Sequence, residues 1–106
     1  TPSEGPVAAT IDFLANSATL SPAAEERLRT LARQLANNEQ RMQLKAFAAG
    51  GSDNISASRR LSLSRALAVR QFLIDQGLRS TRIDVRALGV AGDSGQPDRV
   101  DVVLLR

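Results

Sequence analysis

Hydrophobic and polar positions follow two rhythms along this chain. Residues 58–77, SRRLSLSRALAVRQFLIDQG, carry Leu61, Leu63, Ala66, Leu67, Val69, Phe72, Leu73 and Ile74 at spacings of three and four. That pattern predicts one long amphipathic helix with a broad face for packing on a sheet. Arg59, Arg60 and Arg70 fall on its wet side. Gly77 stands where such a helix stops, because glycine enters the left-handed conformation without a Cβ clash. A second helix starts at Ser21-Pro22, a hydroxyl cap followed by a proline whose missing N–H costs nothing there. Glu25 and Glu26 suit its positive end, Leu28, Leu31, Ala32 and Leu35 point inward, and Asn37-Asn38 closes it.

Four other stretches alternate with period two, as strands do. Residues 7–14 set Ile11 and Phe13 against Thr10, Asp12 and Leu14. Residues 41–49 set Met42, Leu44, Ala46 and Ala48 against Gln43, Lys45, Phe47 and Ala49. Residues 82–88 turn Ile83, Val85 and Ala87 one way. Residues 99–105 carry Val100, Val102 and Leu104 on one face, but Val103 and Leu105 interrupt the other. This last strand is therefore covered on both sides or lies against another element. The order β-α-β-α-β-β predicts an α/β two-layer sandwich, with two helices packed on one face of a mixed sheet and right-handed crossovers.

A chain of 106 residues defaults to one domain. Residues 1–6, TPSEGP, read as the end of a linker, and residues 7–106 as the domain. Residues 50–54 form a loop leading toward the long helix, and residues 89–96 a glycine-rich connection. Within it, Gly92-Asp93-Ser94-Gly95 imitates the GxxG of an RNA-binding loop but lies between strands, which makes it a plain loop. The chain begins with Thr and not Met, so it reads as a processed or excised piece of something longer.

Composition narrows the chemistry. Without cysteine or histidine, disulfides, thiol chemistry, the usual zinc sites and histidine-centred triads are excluded. No paired carboxylates stand at a recognisable catalytic spacing, so the reading is a non-enzyme without cofactor or metal. A net charge of +3 suits any acidic surface and selects none. Three phenylalanines barely serve the core, which argues against a nucleic-acid partner needing aromatic stacking platforms. No apolar run is long enough for membrane insertion by this domain.

Ser58, Leu61-Ser62, Arg65-Ala66, Val69 and Leu73 together resemble the signature helix of the OmpA-like domain family, Asn-x-x-Leu-Ser-x-x-Arg-Ala-x-x-Val-x-x-x-Leu. That family includes the C-terminal domain of outer membrane protein A, the peptidoglycan-associated lipoprotein and MotB. Phe13, Asn16, Ala18 and Leu20 match the block that opens such domains, with Ala15 in place of its second aromatic residue. The resemblance runs from about Ile11 to Val102, with Ser58 departing from the family's Asn. It implies the same sandwich, with the first and third strands adjacent in the centre. It also implies a structural module of the Gram-negative cell envelope that holds peptidoglycan. Such a module is periplasmic and associates with the outer membrane through a missing N-terminal part, so that the parent chain is membrane-attached.

The family's ligand is the diaminopimelate of the peptidoglycan stem peptide, whose side chain ends in an ammonium and a carboxylate. Arginine suits the carboxylate, since its planar fork matches both oxygens. The resemblance assigns this to Arg65, with Arg99 of Arg99-Val100-Asp101 lining the same pocket and Asn16 and Ser58 beside it; Pro97-Asp98 replaces the family's Asn-Arg. The family's ammonium partner, an Asp, falls on Gly50. Asp53 substitutes for it only if its loop folds back; otherwise Asp53-Asn54 caps the following helix. Loss of one charge-assisted hydrogen bond removes about 1.5–3 kcal/mol, roughly tenfold to a hundredfold in affinity.

Plainer readings of the same residues stand beside these. Arg65 is also a solvated arginine on a helix flank, and Arg99 also a guard on a sheet edge. Function therefore divides between an envelope module with a weakened or altered diaminopimelate site and a degenerate OmpA-like domain serving protein–protein interaction or envelope assembly. The partner is peptidoglycan in the first case and an envelope protein in the second.

Overall fold

The computed structural model describes residues 4–15, 17–36, 40–49, 55–89 and 97–105. The elements run β1 (Glu4–Asp12), α1 (Pro22–Leu35), β2 (Met42–Phe47), α2 (Ile55–Asp75), a 3-10 turn (Ser80–Arg82), β3 (Ile83–Gly89) and β4 (Arg99–Leu105). This is the predicted order. β1 begins at Glu4, inside the stretch read as linker, and its backbone already pairs there with Leu105.

The four strands form one mixed sheet in the order β1-β4-β2-β3. β4 is antiparallel to both β1 and β2, and β3 is parallel to β2. The resemblance implied that the first and third strands sit side by side in the centre; they are instead the two edges. β4 inserts between β1 and β2, and the two faces of that strand explain why. Val100 and Val102 are fully buried toward the helices, while Val103 and Leu105 on the other face are only 3% and 8% exposed. A strand apolar on both faces suits an interior place in the sheet, where side chains of the flanking strands help cover it on either face.

Both helices pack on one side of the sheet. Ile11, Phe13, Met42, Leu44, Ala46, Ile83, Val100 and Val102 meet Leu28, Leu31, Leu35, Ala66, Val69 and Leu73 in one core. Each large aliphatic side chain buried there contributes roughly 1.5–3 kcal/mol. Ser21 caps α1 by accepting from the Ala24 N–H at 3.1 Å, with Pro22 in the first helical turn. The other end of α1 is closed by a residue the sequence pattern assigned to a strand. Arg82, 8% exposed, donates from Nη2 to the Leu35 carbonyl and from Nε to that of Gln40, both at 3.0 Å. A guanidinium there satisfies carbonyls that helix geometry leaves unpaired and faces the negative end of the helix dipole.

α2 ends as expected. Gly77 has φ +103°, the Leu78 N–H reaches the Leu73 carbonyl at 3.2 Å, and the Gly77 N–H reaches that of Ile74 at 2.9 Å. This is the double bond of a Schellman termination. Leu63 and Leu67, expected on the buried face, are instead exposed, 42% and 47%. At 3.6 residues per turn they lie away from the stripe Ser58–Ser62–Arg65–Ala66–Val69–Leu73 that the sheet buries. Among the described residues no helix is long and apolar enough to cross a membrane. The expected loops at 50–54 and 89–96, with Gly92–Gly95, and the helix end at Asn37-Asn38 lie outside the described residues, apart from Gly89, which ends β3.

Candidate functional site

The buried stripe of α2 contains one residue that hydrophobicity does not explain. Arg65 has no exposed surface, so the reading that left it on a wet helix flank is corrected. Its neighbours make room for it. Ser62 and Ser58, about one and two turns earlier on the same stripe, are small and buried. The Ser62 hydroxyl is itself satisfied, donating to the Arg59 carbonyl at 2.8 Å and accepting from the Gly89 N–H at 3.2 Å.

A buried guanidinium without partners costs several kcal/mol, so its partners must converge on it. They come from three segments. Nε donates to the Ser17 carbonyl at 2.7 Å and Nη2 to that of Leu14 at 2.9 Å, both in the connection after β1. Nη1 donates to the Phe47 carbonyl at the end of β2 at 3.0 Å and to Oδ1 of Asp98 just before β4 at 2.8 Å. Four of the five guanidinium hydrogens are thereby used. The Phe13 ring lies 5.2 Å from the guanidinium carbon, within cation–π range.

Asp98 completes the cluster. Its Oδ1 also accepts from the Ala49 N–H at 3.0 Å, and its backbone carbonyl accepts from the Phe13 N–H at 2.9 Å. Burial alone raises the Asp98 carboxyl pKa. The Ala49 N–H and the Arg65 guanidinium outweigh that effect and hold it below the usual carboxylate value. The side chain keeps 13% of its surface in contact with solvent.

Of the residues expected at a ligand pocket, Ser58 belongs to this cluster. It is 4% exposed, and its hydroxyl donates to the carbonyl of Ala49, at 3.4 Å. Asn16, Asp53 and Gly50 lie outside the described residues. Arg99 does not share a pocket with Arg65. Strand alternation sends it to the helix-free face, where its guanidinium lies 4.4 Å over the Phe47 ring and Nε donates to both Asp101 oxygens at 3.2 Å. Thr10 adds a bond to Asp101, also at 3.2 Å. The residue that reaches Arg65 from the last strand is therefore Asp98. Sequence reasoning passed over it, although the signal was present: Asp98 has the same parity as Val100 and Val102, whose side is the core.

Among the described residues no group of three or more carboxylate, histidine or cysteine side chains is placed to hold a metal ion. What the cluster offers is a closed arginine–carboxylate pair at the meeting of three strand ends, with one carboxylate oxygen, Oδ2, not engaged by Arg65.

The fold has counterparts among solved structures. An OmpA-like domain of FopA1 from Francisella tularensis superposes with a TM-score of 0.76 at 22% identity, over 91% of this chain and 70% of that one. The peptidoglycan-associated lipoprotein of Burkholderia pseudomallei gives 0.74 at 17% identity, over 90% and 88%. The C-terminal domain of Helicobacter pylori MotB gives 0.73 at 16% identity, over 91% and 83%. No curated protein matches the sequence. The model of the OmpA family matches residues 12–98, most of the chain and all of the residues that build the Arg65 cluster. The chain belongs to the OmpA family.

Proposed function

We propose that this chain is a non-catalytic module of the cell envelope, working in the periplasm, whose diaminopimelate site is altered so that it holds peptidoglycan weakly. The observation that carries this reading is the closure of Arg65. Its guanidinium has no exposed surface and is bound by Asp98 and three backbone carbonyls. A stem-peptide carboxylate has to displace Asp98 from Nη1 before Arg65 can receive it. Asp98 is held a second time by the Ala49 N–H, so the displacement breaks two charge-assisted bonds and returns fewer. Family membership supports the envelope setting, as do structural neighbours described as a peptidoglycan-associated lipoprotein and a MotB domain. Asp98 supplies the anion that the sequence lacks at Gly50, and its free oxygen gives the ligand's ammonium a partner.

The test is an NMR titration with a diaminopimelate-containing muropeptide on the wild type, Arg65→Ala and Asp98→Asn. Saturable shifts in the wild type at millimolar ligand, centred on residues 47–49, 65 and 98 and lost in Arg65→Ala, support the reading. Binding in the micromolar range sinks the altered-site part of it. The absence of any shift in the wild type and in Asp98→Asn sinks wall binding itself and leaves a protein partner as the function of the fold.

A further inference from the structure

α2 has a second surface that the Arg65 cluster does not use. On the flank turned toward β3, Arg59, Arg60, Leu63, Leu67 and Arg70 fall together at 3.6 residues per turn. Leu63 and Leu67 are the exposed leucines noted above, one turn apart. Between this flank and the strand lies an open groove of about 430 Å³ lined by Ser56, Arg59, Arg60, Leu63 and Ala87. Its lining contains two arginines and no carboxylate. Arg59, Arg60, Arg70 and Arg86 form no ion pair among the described residues.

The strand beside the groove is an edge. β3 pairs with β2 on one side, and no described strand lies on the other. Such an edge presents backbone donors and acceptors to any extended chain that approaches. The opposite edge differs: there α1 reaches across, and Arg27 donates to the Thr10 carbonyl of β1 at 3.1 Å. The α1–β1 edge has an open groove too, of about 550 Å³, but Glu26 lines it beside Arg27; the groove at β3 is lined by arginines without a carboxylate, beside exposed leucines, and those arginines have no ion-pair partner among the described residues.

We propose that the α2–β3 groove docks an extended acidic segment of a partner protein. The segment adds as a strand to the outer edge of β3, lays an apolar side chain over Leu63 and Ala87, and sets its carboxylates against Arg59 and Arg60. Each feature answers one part of that ligand: the strand edge its backbone, the groove its apolar side chains, the arginines its charge. An anionic bilayer would satisfy the arginines but would neither pair the strand edge nor fill a concave groove. The proposal is independent of wall binding, because Arg65 and Asp98 lie on the sheet-facing side of α2, away from this flank.

The experiment is an NMR titration of the whole chain with a peptide of roughly ten residues, about two strand lengths, carrying Glu and Leu in turn at every second position and Thr between them, so that both kinds of side chain point to the α2 side. The same peptide with Lys for Glu and anionic phospholipid vesicles serve as comparisons. The acidic peptide is expected to shift amides of residues 56–67 and 83–88 saturably. Its affinity falls by about tenfold or more in the Arg59→Glu, Arg60→Glu double variant, and falls as ionic strength is raised. The Lys peptide prefers the double variant. Both arginines are exposed, so that variant keeps its fold, which circular dichroism checks. The proposal is overturned if the acidic peptide produces no shifts at millimolar concentration, if the shifts map elsewhere, if the double variant binds equally well, or if only the vesicles bind.

Discussion

The Arg65–Asp98 pair makes a quantitative demand on stability. Asp98→Ala removes the carboxylate that receives Arg65 Nη1 at 2.8 Å and the Ala49 N–H at 3.0 Å. Arg65 keeps its bonds to the carbonyls of Leu14, Ser17 and Phe47, but its charge is left buried without a counter-ion. Breaking a buried pair from one side costs about 3–5 kcal/mol. The Asp98 side chain retains 13% exposure, so water can enter where the carboxylate was, and the lower end applies: about 3 kcal/mol. For a domain of this size each kcal/mol lowers Tm by about 4–8 °C, which makes the expected fall roughly 12–24 °C. Urea unfolding followed by circular dichroism, with a double-mutant cycle through Arg65→Met, separates the pair's coupling from the individual losses. Asp98→Asn retains an acceptor for Ala49 and should lose less than Asp98→Ala. A loss below about 1 kcal/mol for Asp98→Ala, the range of an exposed ion pair, would refute the view that this cluster ties the three strand ends together.

Further outcomes follow from the same geometry. Because the folded-state pKa of Asp98 is lowered, its contribution to stability is present above the unfolded carboxylate value of about 3.9 and is lost as pH falls through the folded value. Urea midpoints measured from pH 5 downward should decline less steeply in Asp98→Asn than in the wild type. Gly77 sits at φ +103° in open space, so Gly77→Ala meets no clash and costs only backbone strain, about 1–2 kcal/mol by chemical denaturation. Arg82→Met removes the donors to the Leu35 and Gln40 carbonyls and should lower stability by about 1–3 kcal/mol. Amide hydrogen exchange should quicken first in the last turn of α1.

The alternation of apolar and polar residues by itself determined the element order, both helix starts and stops within a few residues, and most of the core. Those features depend on period and on local backbone chemistry: Ser21 before Pro22 caps a helix wherever that helix packs, and Gly77 ends one because only its own φ is at stake. The motif around Arg65 was legible as well, since its residues are neighbours along one helix. Partners distant in sequence were not legible. Asp98 lies 33 positions from Arg65, and Arg82 lies 47 from the Leu35 carbonyl it caps. Strand order decides such meetings, and periodicity carries no strand order. Placing β4 between β1 and β2 brought Asp98 to Arg65 and left β3 as the outer strand among the described residues, on the side of Leu63. Local sequence set what each segment is, and the tertiary arrangement decided whether a buried arginine faces a ligand or its own chain.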